Sequence, residues 1–312
     1  MAILASLVLA ATPAWSQGGD DVFSDADEAA RQSSNPLGGD FFIFLNQVDN
    51  YFLNGNITDS TKNINTWAMQ PVLPIPMTDL IGENWIFVTR PTLPFIMNAE
   101  QPDNTFLNGA GPPQIPEEAP GRLPFRDKSG FGDITWFSLL GTSTPSEAAG
   151  GGDVVLAAGP TFQFPTASSE FLGSGKYAIG PSAVGAFIGR RFILGGLFQH
   201  WESVDGGGEG ANEDMSFSWL NLFYFLNLND GWQVGGTPVI TADWQSDGKD
   251  ERFTVPIGLG VYKTTFIGGK APVKMGVEMQ WMPIQPDSYG QEFNIRFVLA
   301  PIFPSPFGNL MK

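Results

Sequence analysis

Apolar and polar residues alternate along much of this chain with a period of two. After Arg252, every second residue from 253 to 261 is Phe, Val, Ile or Leu, and the residues between them are Thr, Pro or Gly. The stretches 273–281 and 293–299 repeat the pattern, with mostly small or polar residues between the apolar ones. Because successive side chains of a strand point to opposite faces, this alternation predicts β-strands with one apolar face.

Turn-forming residues divide the chain from Phe41 onward into twelve such segments. The predicted strands are 41–54, 63–77, 84–97, 131–143, 152–166, 175–188, 190–203, 213–228, 231–246, 251–267, 271–284 and 291–303. The fold class is therefore all-β.

The connections between these strands alternate in length. The even-numbered ones are brief: Thr78–Glu83, Thr144–Gly151, Gly189, Asn229–Asp230 and Gly268–Lys270. The odd-numbered ones are longer or more polar: Gly55–Lys62, Asn98–Gly130, Ala167–Ser174, Val204–Asn212, Asp247–Asp250 and Gln285–Gly290. An outer-membrane barrel has short periplasmic turns and long outer loops. The asymmetry predicts a transmembrane up-and-down antiparallel β-barrel of twelve strands.

The alternation alone does not separate this barrel from a soluble β-sandwich, which shows the same pattern inside out. Tryptophan positions favour the barrel. Trp85 and Trp232 adjoin short turns, whereas Trp201, Trp244 and Trp281 lie near long loops. Aromatic girdles occupy both interfaces of a membrane barrel, so all five are predicted interfacial aromatics, with ordinary core packing as the alternative.

Composition narrows the classes of function. Only 15% of the residues are charged, the net charge is −16, and there is no cysteine. Nucleic-acid binding needs clustered Lys and Arg, so a nucleic-acid partner is excluded. The lack of cysteine excludes disulfides, thiolate metal sites and a cysteine nucleophile.

The ends of the chain divide into short segments. The apolar run 2–15 is too short to span a bilayer as a helix and ends in Ala14-Trp15-Ser16, which predicts a signal peptide over residues 1–16. Residues 17–40 are a periplasmic arm or plug, in which 22–33 could form a short helix or a mobile arm. The barrel occupies 41–304, and 305–312 form a tail.

No constellation of residues predicts chemistry. His200 is the one histidine, and Ser203, three residues on, would face the other side of a regular strand, so no hydrolase pair results. Residues 172–176 (LGSGK) lack the first glycine of a phosphate loop, and the acids of 202–213 and 247–251 lack the spacing of a calcium loop. We therefore expect no catalytic residue, no metal site and no cofactor.

Polar residues on the predicted inner face are the candidate site. The candidate lumen-lining residues are Arg90, Arg252, Lys274, Glu278, Gln280, Asn294 and Arg296. Charges of both signs across the bore could pair and block it or form a polar constriction, and plain lumenal packing is the alternative. Either way, buried charges need partners.

Several short motifs resemble those of one family. They are 35–37 (NPL), 70–76 (QPVLPIP), 130–133 (GFGD), 172–176 (LGSGK), 180–182 (GPS) and 254–261 (TVPIGLGV). Together, in this order, they resemble bacterial outer-membrane proteins of the phenol-degradation meta-pathway type, members of which are labelled "transporter" or mislabelled neuromedin U. The resemblance runs from about Asn35 to Pro304 and implies an outer-membrane barrel, a channel for small hydrophobic or aromatic compounds, with no catalytic residues. The chain departs from the pattern by continuing past Phe303 to Lys312 and by its long 98–130 loop.

The sequence therefore predicts a protein of the bacterial outer membrane, in contact with its lipid, that passes or binds small solutes without chemistry. A non-conducting barrel that serves as structure or receptor is one alternative. A soluble ligand-binding β-protein is the other.

Overall fold

A computed structural model describes residues 25–35, 37, 41–82, 84–102, 125–147, 151–169, 171–206, 214–246, 248–268 and 271–305. The predicted signal peptide and most of the predicted tail lie outside these residues. The strands are β1 (Phe41–Asn54), β2 (Lys62–Pro76), β3 (Trp85–Pro102), β4 (Phe125–Phe131), β5 (Ile134–Ser146), β6 (Gly152–Phe164), β7 (Lys176–Gly189), β8 (Phe192–Gly206), β9 (Ser216–Asn227), β10 (Trp232–Gly236), β11 (Val239–Asp243), β12 (Phe253–Ile267), β13 (Ala271–Ile284) and β14 (Gly290–Pro304). Two helices, α1 (Asp25–Ser33) and α2 (Lys249–Arg252), complete the described elements.

The strands form one closed antiparallel barrel. Each pairs with its neighbours in chain order, and β1 pairs with β14 from Phe41↔Pro304 to Asn54↔Gly290, which closes the sheet. Both β4 and β5 pair with β3, and both β10 and β11 pair with β9 and β12. Each of these two pairs is one interrupted strand, so the fourteen segments make twelve passes. The predicted fold class and strand count are confirmed.

The passes begin and end within a few residues of their predicted limits, with two exceptions. The strand β3 extends to Pro102 and β4 begins at Phe125, so both ends of the connection expected over 98–130 are paired strand, and its middle lies outside the described residues. The ninth strand, expected to be continuous, is broken at Thr237 and Pro238. We call the end of the barrel with the brief connections, where β1 begins and β14 ends, the turn end, and the opposite end the loop end.

The outer face of the barrel is apolar at mid-height. Ile257, Leu259 and Met279 are 60%, 63% and 56% exposed. Leu156, Leu194, Leu226, Val277, Phe297 and Leu299 are similarly exposed around the circumference. A contiguous apolar exterior of this extent is rare in water-soluble monomers and is typical of a surface in lipid. Neither of the described helices is long and apolar enough to cross a membrane.

The turn-end half of the interior is packed with apolar side chains. We call this set the apolar layer; it comprises Leu37, Ile43, Val72, Val88, Phe137, Leu139, Val155, Ala157, Val184, Ile188, Ile193, Leu197, Phe223, Phe225, Tyr262, Ala300 and Ile302. Leu37, which precedes the first strand, is wholly buried among them. The layer therefore crosses the barrel interior and joins the N-terminal segment to the wall.

Candidate functional site

Helix α1 lies inside the turn end of the barrel, against one side of the wall. Asp27 Oδ1 accepts a hydrogen bond from the backbone N of Gly231 at 2.6 Å, in the turn between β9 and β10. Lys274 Nζ on β13 donates to Ser34 Oγ at 2.7 Å, and Gln233 Nε2 donates to the same oxygen at 3.3 Å. Ala29 and Ala30 are buried, which lets the helix pack closely against this side.

On the other side, α1 is held by a chain of charges. Arg31 Nη2 lies 2.7 Å from Glu28 Oε1, and Arg31 Nη1 lies 3.1 Å from Asp153 Oδ2 on β6. Burial opposes ionisation of Glu28, but hydrogen bonds from Arg31 and Gln32 outweigh it, so the pKa of Glu28 is lowered. The hydrogen bond from Arg31 to Glu28 in turn raises the pKa of Arg31. The helix therefore spans the bore from β10 and β13 to β6.

A cavity of about 350 Å³ opens beside this ion pair at the turn end. Its lining residues are Gln32, Asn35, Phe41, Pro76, Thr78, Asn84, Trp85, Ile86, Ser143, Pro145 and Asp153. Asp153 therefore borders both the helix and the cavity. α1 covers the β9–β13 side of the turn end, and the cavity lies on the β2–β6 side.

A cluster of polar side chains lies at mid-height on the inner wall. We call it the mid-wall cluster; it comprises Asp49, Thr237, Tyr262, Glu278, Gln280, Asn294 and Arg296. Arg296 Nε donates to Asp49 Oδ1 at 2.7 Å, and both side chains are 3% exposed. Asn294 Nδ2 donates to the same oxygen at 2.7 Å. The first and last strands are thus joined by charge as well as by backbone pairing.

Glu278 is the second buried acid of the mid-wall cluster. Its carboxylate accepts from Tyr262 Oη at 2.6 Å, from Gln280 Nε2 at 2.8 Å and from Thr237 Oγ1 at 2.8 Å. The backbone N of Thr237 lies 3.0 Å from both of its oxygens. Hydrogen bonds of this kind compensate a buried carboxylate for lost water. The cluster thus holds two carboxylates and one guanidinium, and each of these charged groups has hydrogen-bond partners within the cluster.

Three members of the cluster, Asp49, Thr237 and Tyr262, are not among the residues predicted from the sequence, and Thr237 is the one that a local signal could have revealed. It lies in the break between β10 and β11, where its N–H donates to Glu278 and its carbonyl accepts from Arg296 Nη1 at 2.6 Å. The signal was Thr237-Pro238 inside a predicted strand, because proline cannot donate to a ladder and marks a break. The break thus turns backbone groups from the ladder toward buried charges.

Arg90 stands apart from this cluster. Its Cζ lies 4.5 Å from the ring centroid of Phe137, its register partner on β5. Its Nε is enclosed and has no hydrogen-bond partner. Within the described part of the chain, no carboxylate forms an ion pair with it.

The structure places the other candidate residues unevenly. Lys274, Glu278, Gln280, Asn294 and Arg296 are all at most 5% exposed and share the inward faces of β13 and β14. Arg252 does not line the lumen from a strand. It ends α2, where its Cζ lies 5.7 Å from the Trp244 ring and its Nη2 donates to Ser246 O at 3.2 Å. The strand begins only at Phe253, so alternation cannot be extended back to it.

One predicted interfacial tryptophan is wrong. Trp201 is 1% exposed and packs edge-on against Trp219, with 5.1 Å between ring centroids. It shares the inward face of β8 with Gln199, two residues before it. Trp232, Trp244 and Trp281 are 44%, 46% and 55% exposed near strand ends, and Trp85 begins β3.

His200 has a serine partner that its own strand does not supply. Its Nδ1 lies 2.8 Å from Ser218 Oγ on β9, and its Nε2 lies 2.9 Å from Glu202 Oε1. Trp244 Nε1 donates to the same hydroxyl at 2.8 Å. Ser218 is paired on both sides, to β8 and β11, so its backbone N–H serves the ladder and offers no oxyanion donor. The group ties β8, β9 and Trp244 together at the outer surface.

Among the described residues, no group of three or more His, Asp or Glu side chains could hold a metal ion.

Comparison with known proteins supports the fold. No protein-family model matches the sequence, and no curated protein is a significant match. Among solved structures, the chain is similar to the COG4313 outer membrane channel from Pseudomonas putida F1, with a TM-score of 0.56, 16% identity, and coverage of 84% of this chain and 94% of that one. The Pseudomonas putida toluene transporter TodX matches with a TM-score of 0.38, 10% identity and coverage of 88% and 93%. Outer membrane phospholipase A from Escherichia coli matches with a TM-score of 0.39, 11% identity and coverage of 84% of this chain and 89% of that one.

Proposed function

We propose that this chain is an outer-membrane channel for small hydrophobic or aromatic solutes, of the phenol-degradation meta-pathway type. The observation that carries the proposal is the reversal of polarity across the wall. Exposed aliphatic side chains cover the outside at mid-height, while Asp49, Glu278 and Arg296 are buried inside at the same level. A soluble protein would place these groups the other way round.

The turn end faces the periplasm, and the loop end faces outward, as the asymmetry of the connections indicates. Trp85 and Trp232 then lie near the inner interface, and Trp244 and Trp281 near the outer one.

α1 and Leu37 act as a stopper at the periplasmic end. The segment is fixed by Arg31 to Asp153 and by Ser34 to Lys274, which lie on opposite sides of the bore, and Leu37 is buried in the apolar layer. A solute that reaches the layer leaves when this segment shifts. The solute then passes into the cavity beside Asp153 at the turn end.

The apolar layer favours hydrophobic cargo. A solute that crosses it contacts Val, Leu, Ile and Phe side chains and leaves its water behind, which favours apolar bodies over sugars or hydrated ions. The fold shared with a COG4313 outer membrane channel supports a channel rather than a receptor.

A reversible lock tests the proposal. The sequence has no cysteine, so Ser34→Cys with Gln233→Cys, whose native side chains meet at their ends, creates one thiol pair that a short bis-methanethiosulfonate cross-linker can join and a reductant can separate. In planar bilayers we expect discrete conductance steps under reducing conditions and their loss after cross-linking, with each single variant as control. In cells whose outer leaflet is lipopolysaccharide, uptake of nitrobenzene should follow the same redox dependence.

A folded, inserted protein that neither conducts nor raises nitrobenzene uptake in either redox state would contradict the channel. The non-conducting barrel would then replace it.

A further inference from the structure

The inner wall carries two arginines in opposite situations. Arg296 has Asp49 Oδ1 at 2.7 Å and two bonds to Thr237. Arg90 has an aromatic ring and no acid among the residues that the structure describes. Because removing a cation from water without a partner is costly, such a group is unusual unless something else supplies the negative charge.

Lys274, another inward cation without a carboxylate, shows how such a group can be satisfied from within the chain. Its Nζ donates to Ser34 Oγ at 2.7 Å and lies 4.2 Å from the Phe225 ring centroid. Lys274 is therefore satisfied by the stopper itself. Arg90 likewise packs on an aromatic ring, that of Phe137, but no oxygen atom of the described residues accepts a hydrogen bond from its side chain.

The position of Arg90 defines what could supply that oxygen. It follows Val88 on the inward face of β3 and pairs across β5 with Phe137, both members of the apolar layer. The residue is partly exposed, and Nε is the only nitrogen of its side chain that is enclosed without a partner, which leaves the two Nη atoms accessible. Its guanidinium is thus reachable from the lumen at the edge of an apolar surface.

From this geometry we propose that Arg90 binds the carboxylate of an amphipathic solute whose apolar body rests on Phe137 and the apolar layer. The guanidinium offers paired N–H donors that match a carboxylate, and the ring of Phe137 fixes its plane. The inference rests on the proposed channel and narrows its substrate class to small aromatic or aliphatic monocarboxylates. No covalent step is involved.

Two probes of the same shape separate charge from apolar contact. Benzoate and nitrobenzene have nearly the same outline, but only benzoate is anionic at neutral pH. We expect the full folded chain in detergent to bind benzoate more tightly than nitrobenzene in isothermal titration calorimetry. Arg90→Met should lower benzoate affinity by roughly tenfold to a hundredfold and leave nitrobenzene within about twofold.

Arg191→Met is the matched control, since Arg191 is exposed in the turn between β7 and β8. It should change neither affinity. If Arg90→Met fails to show the heat-modifiable mobility of a folded barrel, Arg90→Lys replaces it. Lysine keeps the positive charge without the paired donors of a guanidinium, so Arg90→Lys should bind benzoate more weakly than the unaltered protein and nitrobenzene equally well. The comparison of the two probes on the unaltered protein needs no variant at all.

Equal binding of the two probes to the unaltered protein would overturn the proposal, as would full benzoate affinity in Arg90→Met. Its failure differs from failure of the channel. Benzoate binding that depends on Arg90 without conductance or uptake would remove the channel and keep the site. Redox-dependent uptake with benzoate binding indifferent to Arg90 would do the reverse.

Discussion

Arg296 on the last strand donates to Asp49 on the first at 2.7 Å, and the two residues are also register partners across the closure of the barrel. A buried ion pair of this kind holds two chain ends in one alignment, because a shift of one residue would send either charge to the lipid side. Asn294 on the same face bonds to the same carboxylate.

Asp49→Asn should therefore be strongly destabilising, because it removes the carboxylate that contacts the buried Arg296 guanidinium. We expect a loss of about 3 kcal/mol in the free energy of unfolding. Urea titration in lipid vesicles would measure it. Adding Arg296→Met to Asp49→Asn should restore part of the loss, and additive losses in the double variant would contradict the coupling.

Asp153→Asn should loosen the stopper without weakening the wall, because the Arg31–Asp153 contact joins α1 to β6. We expect more frequent openings in planar bilayers and unchanged barrel stability. Asp79→Asn, an exposed acid in the β2–β3 turn at the same end, is the control. Identical opening rates in the two variants would rule out this contact as a restraint.

Acid should release α1 through Glu28. The folded pKa of Glu28 is lowered, so its ion pair contributes fully above the ordinary value of 4.5 and is lost as pH falls through the folded pKa. Hydrogen exchange of the α1 amides should therefore rise below about pH 4.5 while that of β13 does not. In Glu28→Gln this acid-dependent rise should disappear; its persistence would assign the effect to another group.

Leu259→Arg tests which surface meets lipid. Leu259 is 63% exposed at mid-height, and we expect a cost of about 2–4 kcal/mol in vesicles, as for arginine at the bilayer midplane. Val204, equally exposed at 63% but at the loop end of β8, is the depth control. Val204→Arg should cost at most about 1 kcal/mol. Similar costs at both sites would argue against a membrane-embedded band.

Gly276→Ala should disturb the mid-wall cluster by displacing the ring of Tyr262. A Cβ at Gly276 would lie 2.1 Å from Cδ1 of Tyr262, its partner on β12, so the ring must move and its bond to Glu278 must lengthen. We expect a loss of about 1–3 kcal/mol, the usual cost of overpacking. Gly185→Ala, where the added carbon meets nothing closer than 3.6 Å, should be nearly neutral in the same assay.

Alternation of residue type was enough to predict the strands and the inward placement of Lys274, Glu278 and Arg296. Period two fixes a face, but it does not say which residue on another strand lies opposite. Asp49 could not be matched to Arg296 without the closure of the sheet, and Thr237 needed the break after Gly236.

The errors have equally local causes. Arg252 precedes its strand, so the alternation did not apply to it. Trp201 was judged by its nearness to a loop, although its spacing from Gln199 placed it on the inner face. The Ser218–His200 contact joins two strands and cannot be found by looking for a pair on one strand.

The docking of α1 also determines the order in which the molecule can assemble. Asp27 and Gly231 are 204 residues apart, and Ser34 and Lys274 are 240 apart. Apart from Asp153 on β6, the segment made before any strand thus lacks its binding surface until the last strands exist. Contacts over such separations form late, because so much chain must first be ordered. The order of folding at the turn end is therefore the reverse of the order of synthesis. The bore stays open there while the strands pair, and the residues synthesised first enter it last.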